Sequence, residues 1–303
     1  VYAWYNQRDH IKAMQKRAEE DAVVHIEIIG AVTKGQKGEE MAEVGDMTEA
    51  GAIAFSDDGH FTKSAKVLLN CYDYLRTFDK VIINHDEEPS LVEEGVMNES
   101  HRSAMLGMKG RPTVAEDIAV ARDIMLAEYA DAKVHVAHIS SARAVDIVRQ
   151  AKARGVKVTA EATPQHMTMT DDCVELFDSS TKINPPLREQ KDVDAVLEGL
   201  KDGTIDCIVT DHSPHAQEEK DREYIYAPSG FPGLETAVGV MMTDLVHTGK
   251  LDVATMIERM TAAPARIFGI EAGSLAEGMP ADITVIDPEL EWTVDAKKFY
   301  TKG

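Results

Sequence analysis

The amino-acid sequence predicts an α/β fold built on a parallel β-sheet. Short apolar runs rich in β-branched residues alternate along the chain with helical stretches, which is typical of strand–helix–strand units. The chain has 303 residues, of which 44% are apolar, enough to bury the core of one large domain with or without a small one. Several apolar runs end abruptly in Asp or His, which are costly to bury without partners.

The individual elements follow from local patterns. Six segments are predicted as strands: 23–29, 52–55, 81–83, 134–137, 156–160 and 207–210. Predicted helices include 113–132, 141–154, 236–248 and 252–262, where apolar residues recur on one face. Segment 281–287 then alternates apolar and polar residues as a half-exposed strand would. It predicts a small second β unit.

Composition limits the classes of partner. The net charge of −21 argues against nucleic acid or an anionic membrane as partner, because bulk repulsion opposes both. An anionic small molecule would need a locally built site. The three cysteines, Cys71, Cys173 and Cys207, show no paired spacing and indicate a reducing, cytoplasmic compartment. No apolar run reaches the roughly 18 residues of a membrane span.

Side chains of types that can bind a metal ion stand at the ends of four predicted strands. These are Asp58, His85, His138 and Asp211. In parallel α/β folds, and above all in βα barrels, side chains at the carboxyl ends of different strands converge on the active site. Two histidines with one or two carboxylates suit Zn²⁺ or a similar divalent ion. A pair of ions would need a bridging anionic ligand, for which Asp58 is well placed.

Alternation along a strand separates neighbouring candidates. His135 and His138 are three residues apart and face opposite sides of a strand, so we expect His138, nearer the strand end, in the site. Asp211 and His212 likewise face opposite sides, which predicts that His212 either supports the groups of the site from behind or is structural. His215 can reach the same side as Asp211 if the chain turns at the intervening proline.

Three other segments have alternative interpretations. The loop 183–188 is either a turn whose shape is fixed by its prolines or part of a substrate site in which Asn184 forms a hydrogen bond. Glu161 also follows a strand and is either a buried structural acid or part of the site. The acidic run 86–88 is predicted to be a solvated loop.

Seven motifs together resemble a known family. They are FSDDG at 55–59, the His85 strand followed by GVMNE at 95–99, HVAHIS at 135–140, TAEATP at 159–164, INPPLR at 183–188, TDHSPH at 210–215 and GFPGLE at 230–235. The four metal-binding candidates are separated by 27, 53 and 73 residues. Between about Val23 and Asp287 the chain resembles class I dihydroorotases of the amidohydrolase superfamily.

The resemblance implies a fold and a metal centre. The fold would be a distorted (β/α)8 TIM-like barrel over residues 1–270, with six of its eight strands in this chain. Residues 271–303 would be a remnant of a small flanking β-sandwich. Two Zn²⁺ ions would be bridged by Asp58; His85 and His138 would hold one ion, and Asp211 the other.

The resemblance also implies the reaction. N-carbamoyl-L-aspartate would cyclise reversibly to L-dihydroorotate, in de novo pyrimidine biosynthesis, through hydroxide activated by the two metal ions. Asp211 would serve as general base and acid. Asn184, His215 and the backbone of Gly230 would contact the small-molecule substrate. A homodimer and an aspartate transcarbamoylase are the protein partners that the resemblance suggests.

Two departures from the family pattern stand out. The usual His-Cys-Glu-Asp reads HDEE from His85, which keeps the ligand but changes its neighbours. The family's His-x-His-x-Arg segment, which supplies two metal ligands and an arginine for the substrate carboxylate, is not found, and the chain begins at Val1 without an initiator methionine. The expectation is a fragment that lacks the first two strands and is inactive alone, within an active complete protein.

Other functions remain open at this point. A hydantoinase or allantoinase is the nearest alternative, although those families usually bring a carboxylated lysine where Asp58 stands. A second alternative is a non-catalytic dihydroorotase-like subunit of aspartate transcarbamoylase. The presence of all four candidate metal ligands argues against it. A third alternative is a βα barrel whose polar strand ends are only structural.

Overall fold

The computed structural model describes residues 7–301, which pack as two compact units. The first comprises the chain up to Glu93 together with Pro112–Glu161. The second comprises Glu94–Arg111 together with the chain from Ala162 onward. Each unit therefore joins segments that are distant in the sequence.

Strands and helices alternate along most of the described chain. The strands are β1 Ile29–Gly30, β2 Ala54–Ser56, β3 Val81–Asn84, β4 Met97–Asn98, β5 Gly110–Arg111, β6 Lys133–Val136, β7 Val158–Ala162 and β8 Cys207–Ile208. The helices are α1 Arg8–Asp21, α2 Val44–Glu49, α3 Ala65–Arg76, α4 Pro89–Val92, α5 His101–Leu106, α6 Val114–Ala130, α7 Ala142–Ala153, α8 Pro164–Thr168, α9 Gln190–Asp202, α10 Gln217–Lys220, α11 Ala237–Val240, α12 Val253–Met260 and α13 Ala262–Phe268. Short 3₁₀ helices cover Lys34–Gln36, Asp171–Leu176, Ser179–Thr181 and Ala296–Lys298.

The first unit is built on parallel strands in the order β1, β2, β3, β6, β7. The register places Phe55 beside Ile82, Ile82 beside Val134, and Val134 beside Val158, so apolar side chains form one row across the sheet. Helix α6 packs against α3 and α7, and every residue of β3 is buried. Burial on both faces explains why these strands read as continuous apolar runs.

All six predicted strands are present, with shifted ends. The largest shift is in the first, predicted over 23–29 but formed only at Ile29–Gly30. Val23 and Val24 are 99% and 69% exposed. Pairing with β2 begins at Ile29, and among residues 7–301 no strand pairs with the segment before it. β-branched composition alone therefore overestimated the length of this strand.

The second unit contains β8 and the small parallel pair of β4 with β5. After β8, the backbone N–H of Val209 donates to the carbonyl of Ala162 (3.1 Å), the last residue of β7. The predicted helix 236–248 is formed by α11 and a π-helical turn, Met241–Val246, that continues it. Helix α12 starts where Asp252 caps the N–H of Thr255.

The strand predicted over 281–287 does not form. The segment has no hydrogen-bonded strand partner within the described chain, and its residues are exposed. An alternating pattern needs such a partner before it can become a strand.

No helix within residues 7–301 is long and apolar enough to cross a membrane.

Candidate active site

Three side chains that follow neighbouring strands of the first unit converge at one edge of its sheet. Asp58 follows β2, His85 comes directly after β3, and His138 follows β6. Parallel strands end at the same edge, so side chains beyond their carboxyl ends lie close together. His138 has a φ of +30°, a strained conformation that in proteins clusters at functional sites.

The nitrogen and oxygen atoms of these three side chains face one another. His138 Nε2 lies 3.2 Å from Asp58 Oδ1 and 3.1 Å from His85 Nδ1. His85 Nδ1 is 3.6 Å from Asp58 Oδ1. One ligand atom from each residue lies within 4.8 Å of the other two. Two imidazole nitrogens and a carboxylate oxygen in this arrangement fit a divalent ion such as Zn²⁺.

The electrostatics of the cluster favour a cation. Burial alone raises the pKa of Asp58, but hydrogen bonds and charge from His138 and His85 hold it well below its usual range. Burial lowers the pKa of His85, but Asp58 and Glu87 outweigh that effect and raise it to about 10. Without a metal ion the Asp58 carboxylate is therefore ionised and the His85 ring protonated, and metal binding would release that proton.

Glu87 holds the opposite side of the His85 ring. Its Oε2 lies 3.2 Å from His85 Nε2. A carboxylate only accepts hydrogen bonds, so His85 Nε2 donates to Glu87, which leaves Nδ1 as the nitrogen that would bind a metal ion once its proton is displaced. The prediction that 86–88 is a solvated loop is wrong, since Asp86 and Glu87 are 2% and 4% exposed. The contact of Glu87 with the His85 ring is not visible from the acidic run alone.

The second aspartate of the 55–59 motif has a different role. Asp57 Oδ1 accepts hydrogen bonds from the N–H groups of Val32 (2.9 Å) and Thr33 (3.1 Å), and its Oδ2 accepts one from the Thr33 hydroxyl. Asp57 thus fixes the loop after β1, whereas Asp58 joins the histidines.

His135 lies outside the cluster, as strand alternation predicts. Its Nδ1 is 2.7 Å from Thr159 Oγ1, and its Nε2 is 2.9 Å from Glu161 Oε2. Of the two interpretations of Glu161, the structure therefore supports the buried structural acid.

The second unit brings Asn184, His215 and Gly230 together. The Ser229 hydroxyl lies 3.2 Å from Asn184 Oδ1. His215 Nε2 donates to the carbonyl of Ser229 (2.9 Å). A Cβ on Gly230 would lie 2.5 Å from His215 Cδ2, so only glycine lets the ring approach this backbone. These three predicted substrate contacts are thus neighbours.

Asp211 lies in the second unit, in the segment after β8. It is half-buried, and its φ is +44°, again a strained conformation for a residue with a side chain. His212 Nδ1 accepts a hydrogen bond from the N–H of Leu234 (3.2 Å). Of the two roles predicted for His212, this contact supports the structural one.

Two residues were missed by sequence reasoning. Glu87 orients His85, and Arg111 donates from Nη1 to Asn184 Oδ1 (2.8 Å). The position of Glu87 two residues after a candidate ligand was an available signal. No sequence signal pointed to Arg111, because it is 73 residues from Asn184 in the chain.

Comparisons with known proteins agree with the motifs. A family model described as Dihydro-orotase-like matches residues 3–144, and one described as Amidohydrolase family matches residues 113–302. A dihydroorotase of Pelotomaculum thermopropionicum is 53% identical over 92% of this chain and 66% of its own length. One of Acetivibrio thermocellus is 45% identical over 97% of this chain and 69% of its own length. The chain spans about two thirds of the length of these relatives.

Solved structures show the same fold. An L-hydantoinase (dihydropyrimidinase) from Arthrobacter aurescens superposes with a TM-score of 0.85 at 25% identity, covering 96% of this chain and 67% of that one. A D-hydantoinase (dihydropyrimidinase) from Thermus sp. gives 0.80 at 23% identity with the same coverage. Together with the parallel strands, these likenesses assign the chain to the TIM-barrel class of amidohydrolases. The matching family models and the identity to dihydroorotases show that the chain belongs to the dihydroorotase family.

Proposed function

We propose that the complete protein is a dihydroorotase that interconverts N-carbamoyl-L-aspartate and L-dihydroorotate. The observation that carries the proposal is the cluster of Asp58, His85 and His138 at the strand ends of a dihydroorotase-family chain. In the hydrolytic direction, a C–O bond forms to the ring carbonyl, the ring C–N bond breaks, and a proton passes from water to the leaving nitrogen. Cyclisation is the reverse and releases water.

Metal binding is the first part of the proposal. His85, His138 and Asp58 would hold Zn²⁺, and Asp211 would be a further ligand of the metal centre in the complete protein. When bound, zinc supplies a Lewis acid that polarises the amide carbonyl and lowers the pKa of water. Glu87 fixes the orientation of His85, as carboxylate partners of metal-binding histidines commonly do.

Proton transfer is the second part. We assign the general base to Asp211, whose carboxylate would take the proton of the attacking water and give it to the leaving ring nitrogen. The strained backbone at Asp211 supports this role, because such strain persists where the surrounding structure fixes a functional side chain.

Substrate recognition is the third part. Asn184, His215 and the backbone of Gly230 would contact the substrate ring and its carboxylate. Burial, together with the positive charges of Arg111 and Lys220, lowers the pKa of Lys182 to about 8, so cationic groups gather in this part of an acidic chain. Such a locally built positive region suits an anionic small molecule.

The organisation of the protein is also proposed. Residues 1–270 would belong to the hydrolase barrel and residues 271–303 to a small β-sandwich. A homodimer, an association with aspartate transcarbamoylase and a cytoplasmic location complete the proposal. The charge of −21 counts against nucleic-acid and membrane partners.

A hydantoinase is the second candidate, since both structural likenesses carry that name. The sequence favours dihydroorotase, because an aspartate, Asp58, stands where the resemblance places the carboxylated lysine of hydantoinases. Substrate choice separates the two candidates.

The test is turnover by the purified complete gene product, supplied with Zn²⁺, on dihydroorotate and on hydantoin. We expect turnover of dihydroorotate and much slower turnover of hydantoin. Asp211→Asn should lower kcat about a hundredfold or more, while Asp221→Asn, a change on the exposed surface, should leave it unchanged. Preference for hydantoin, or full activity of Asp211→Asn, would overturn the proposal.

A further inference from the structure

Arg111 makes a directed contact with the side chain of Asn184. It lies at the end of β5, and its Nη1 donates to Asn184 Oδ1 at 2.8 Å. Its Nε donates to the carbonyl of Gly95 at 2.7 Å. Two separate nitrogens of one planar guanidinium are therefore engaged, which fixes the plane of the group.

This contact determines which way the Asn184 amide faces. A guanidinium has only donors, so the amide atom that meets it must be the oxygen. The Ser229 hydroxyl, 3.2 Å away, faces the same oxygen. With Oδ1 directed at Arg111 and Ser229, the Nδ2 group of the half-buried Asn184 is directed elsewhere and can donate to a ligand.

The backbone of Arg111 is itself held in place. The side chain of Arg188, only 2% exposed, donates from Nη1 to the carbonyl of Arg111 (3.3 Å) and to Asn98 Oδ1 (3.1 Å). Asn98 stands opposite Arg111 in the pairing of β4 with β5. Arg188 and Asn184 belong to one loop, so Arg111 is fixed to this loop at two points.

We propose that Arg111 is a positioning residue that sets the donor direction of Asn184 and thereby the preference for a substrate with an acceptor oxygen there. The inference rests on the proposed function, in which Asn184 contacts the substrate. Without Arg111, the amide could turn and present its oxygen, which would repel a carboxylate or carbonyl oxygen.

The experiment compares dihydroorotate kinetics of the complete gene product with those of Arg111→Met, Asn184→Ala and the double variant. We expect Arg111→Met to raise KM about 10-fold, in the range for loss of a charge-assisted hydrogen bond, with kcat changed less than about threefold. Because Arg111 acts through Asn184, the double variant should resemble Asn184→Ala. Arg102→Met, which removes a different arginine of the second unit that pairs with Asp172, should leave KM unchanged.

The outcomes separate the two proposals. If the wild-type protein does not turn over dihydroorotate, the proposed function fails and this inference fails with it. If the wild-type protein is active but Arg111→Met has an unchanged KM, or the two substitutions have additive effects, only the role of Arg111 is overturned. If Arg111→Met lowers both kcat and the melting temperature but leaves KM unchanged, Arg111 has only a structural role. That result would also overturn the inference.

Discussion

The adjacent residues Asp57 and Asp58 differ in what their side chains contact. Asp57 accepts three hydrogen bonds from the loop after β1, whereas Asp58 faces His85 and His138. Burial raises the pKa of Asp57, while the two imidazoles hold that of Asp58 well below its usual range. The carboxylate of Asp57 therefore fixes a loop, whereas that of the next residue lies between two imidazoles, where we propose that a cation binds.

Metal affinity tests the cluster at the scale of single residues. His138→Ala removes one of the three proposed ligands in the cluster and should weaken binding of Zn²⁺ or Co²⁺ at this position more than about 100-fold. Glu87→Gln should weaken it about 10- to 100-fold, the range for partners of metal-binding histidines. Calorimetric titration of the metal-free complete gene product measures both effects.

The matched control for that titration is His135→Ala. His135 lies on β6, the strand that His138 follows, and it is buried against a carboxylate, that of Glu161, outside the cluster. Its removal should leave metal affinity unchanged even if stability falls. Equal loss of affinity in the His135 and His138 variants would contradict the assignment.

At the scale of elements, two lysines hold the segment that leads to Ser229 and Gly230. Lys182 Nζ donates to the carbonyls of residues 224, 225 and 227, at 2.9, 3.1 and 2.8 Å. Lys220 Nζ donates to the carbonyls of residues 228 and 230, at 3.0 and 3.2 Å. The ammonium groups thus replace the backbone hydrogen bonds that this irregular segment lacks.

Lys182→Met should therefore destabilise the protein. Three carbonyls would lose their charged donor, and we expect the free energy of unfolding to fall by about 3 kcal/mol. Denaturant unfolding measures the change. Lys201→Met, which removes an exposed lysine on α9 near Glu198, should cost less than about 1 kcal/mol; a similar loss in both variants would contradict the role of Lys182.

Six of the eight strands within residues 7–301, and the first-unit cluster, could be predicted from the sequence for a local reason. Each of the six contains a short apolar run, and each candidate ligand stands at or just beyond the end of one, so position along the chain carries the information. The strands β4 and β5 have no such run and were not predicted. The grouping of Asp58, His85 and His138 follows from parallel strands that share one edge. Their roles as ligands remain a proposal.

The missed features depend on partners that local sequence patterns do not indicate. Arg111 contacts Asn184, which is 73 residues away in the sequence. The acidic run that contains Glu87 has the composition of a solvent-exposed loop, and its contact with the His85 ring is visible only in the structure. The segment 281–287 shows the reverse case, because its alternating pattern is visible but the described chain supplies no partner strand. Local sequence patterns therefore predicted helices and strands better than they predicted contacts between side chains.

At the scale of the whole molecule, a strongly acidic chain carries a local group of cations. Against a net charge of −21, the second unit gathers Arg111, Lys182, Arg188 and Lys220 around the segments that hold Asn184 and Gly230. Because the chain as a whole is acidic, a site for a small anion needs a local group of positive charges, and these four side chains form one. It also agrees with the anionic substrate of the proposed reaction.

The most direct test is reversible metal removal from the complete gene product. After chelation and removal of the chelator, dihydroorotate turnover should be lost in the wild-type protein and restored by Zn²⁺. Asp58→Asn should not be restored, because the amide lacks the charge needed to hold the ion. Full turnover by protein shown to be free of metal, or full recovery of the Asp58→Asn variant, would contradict the account.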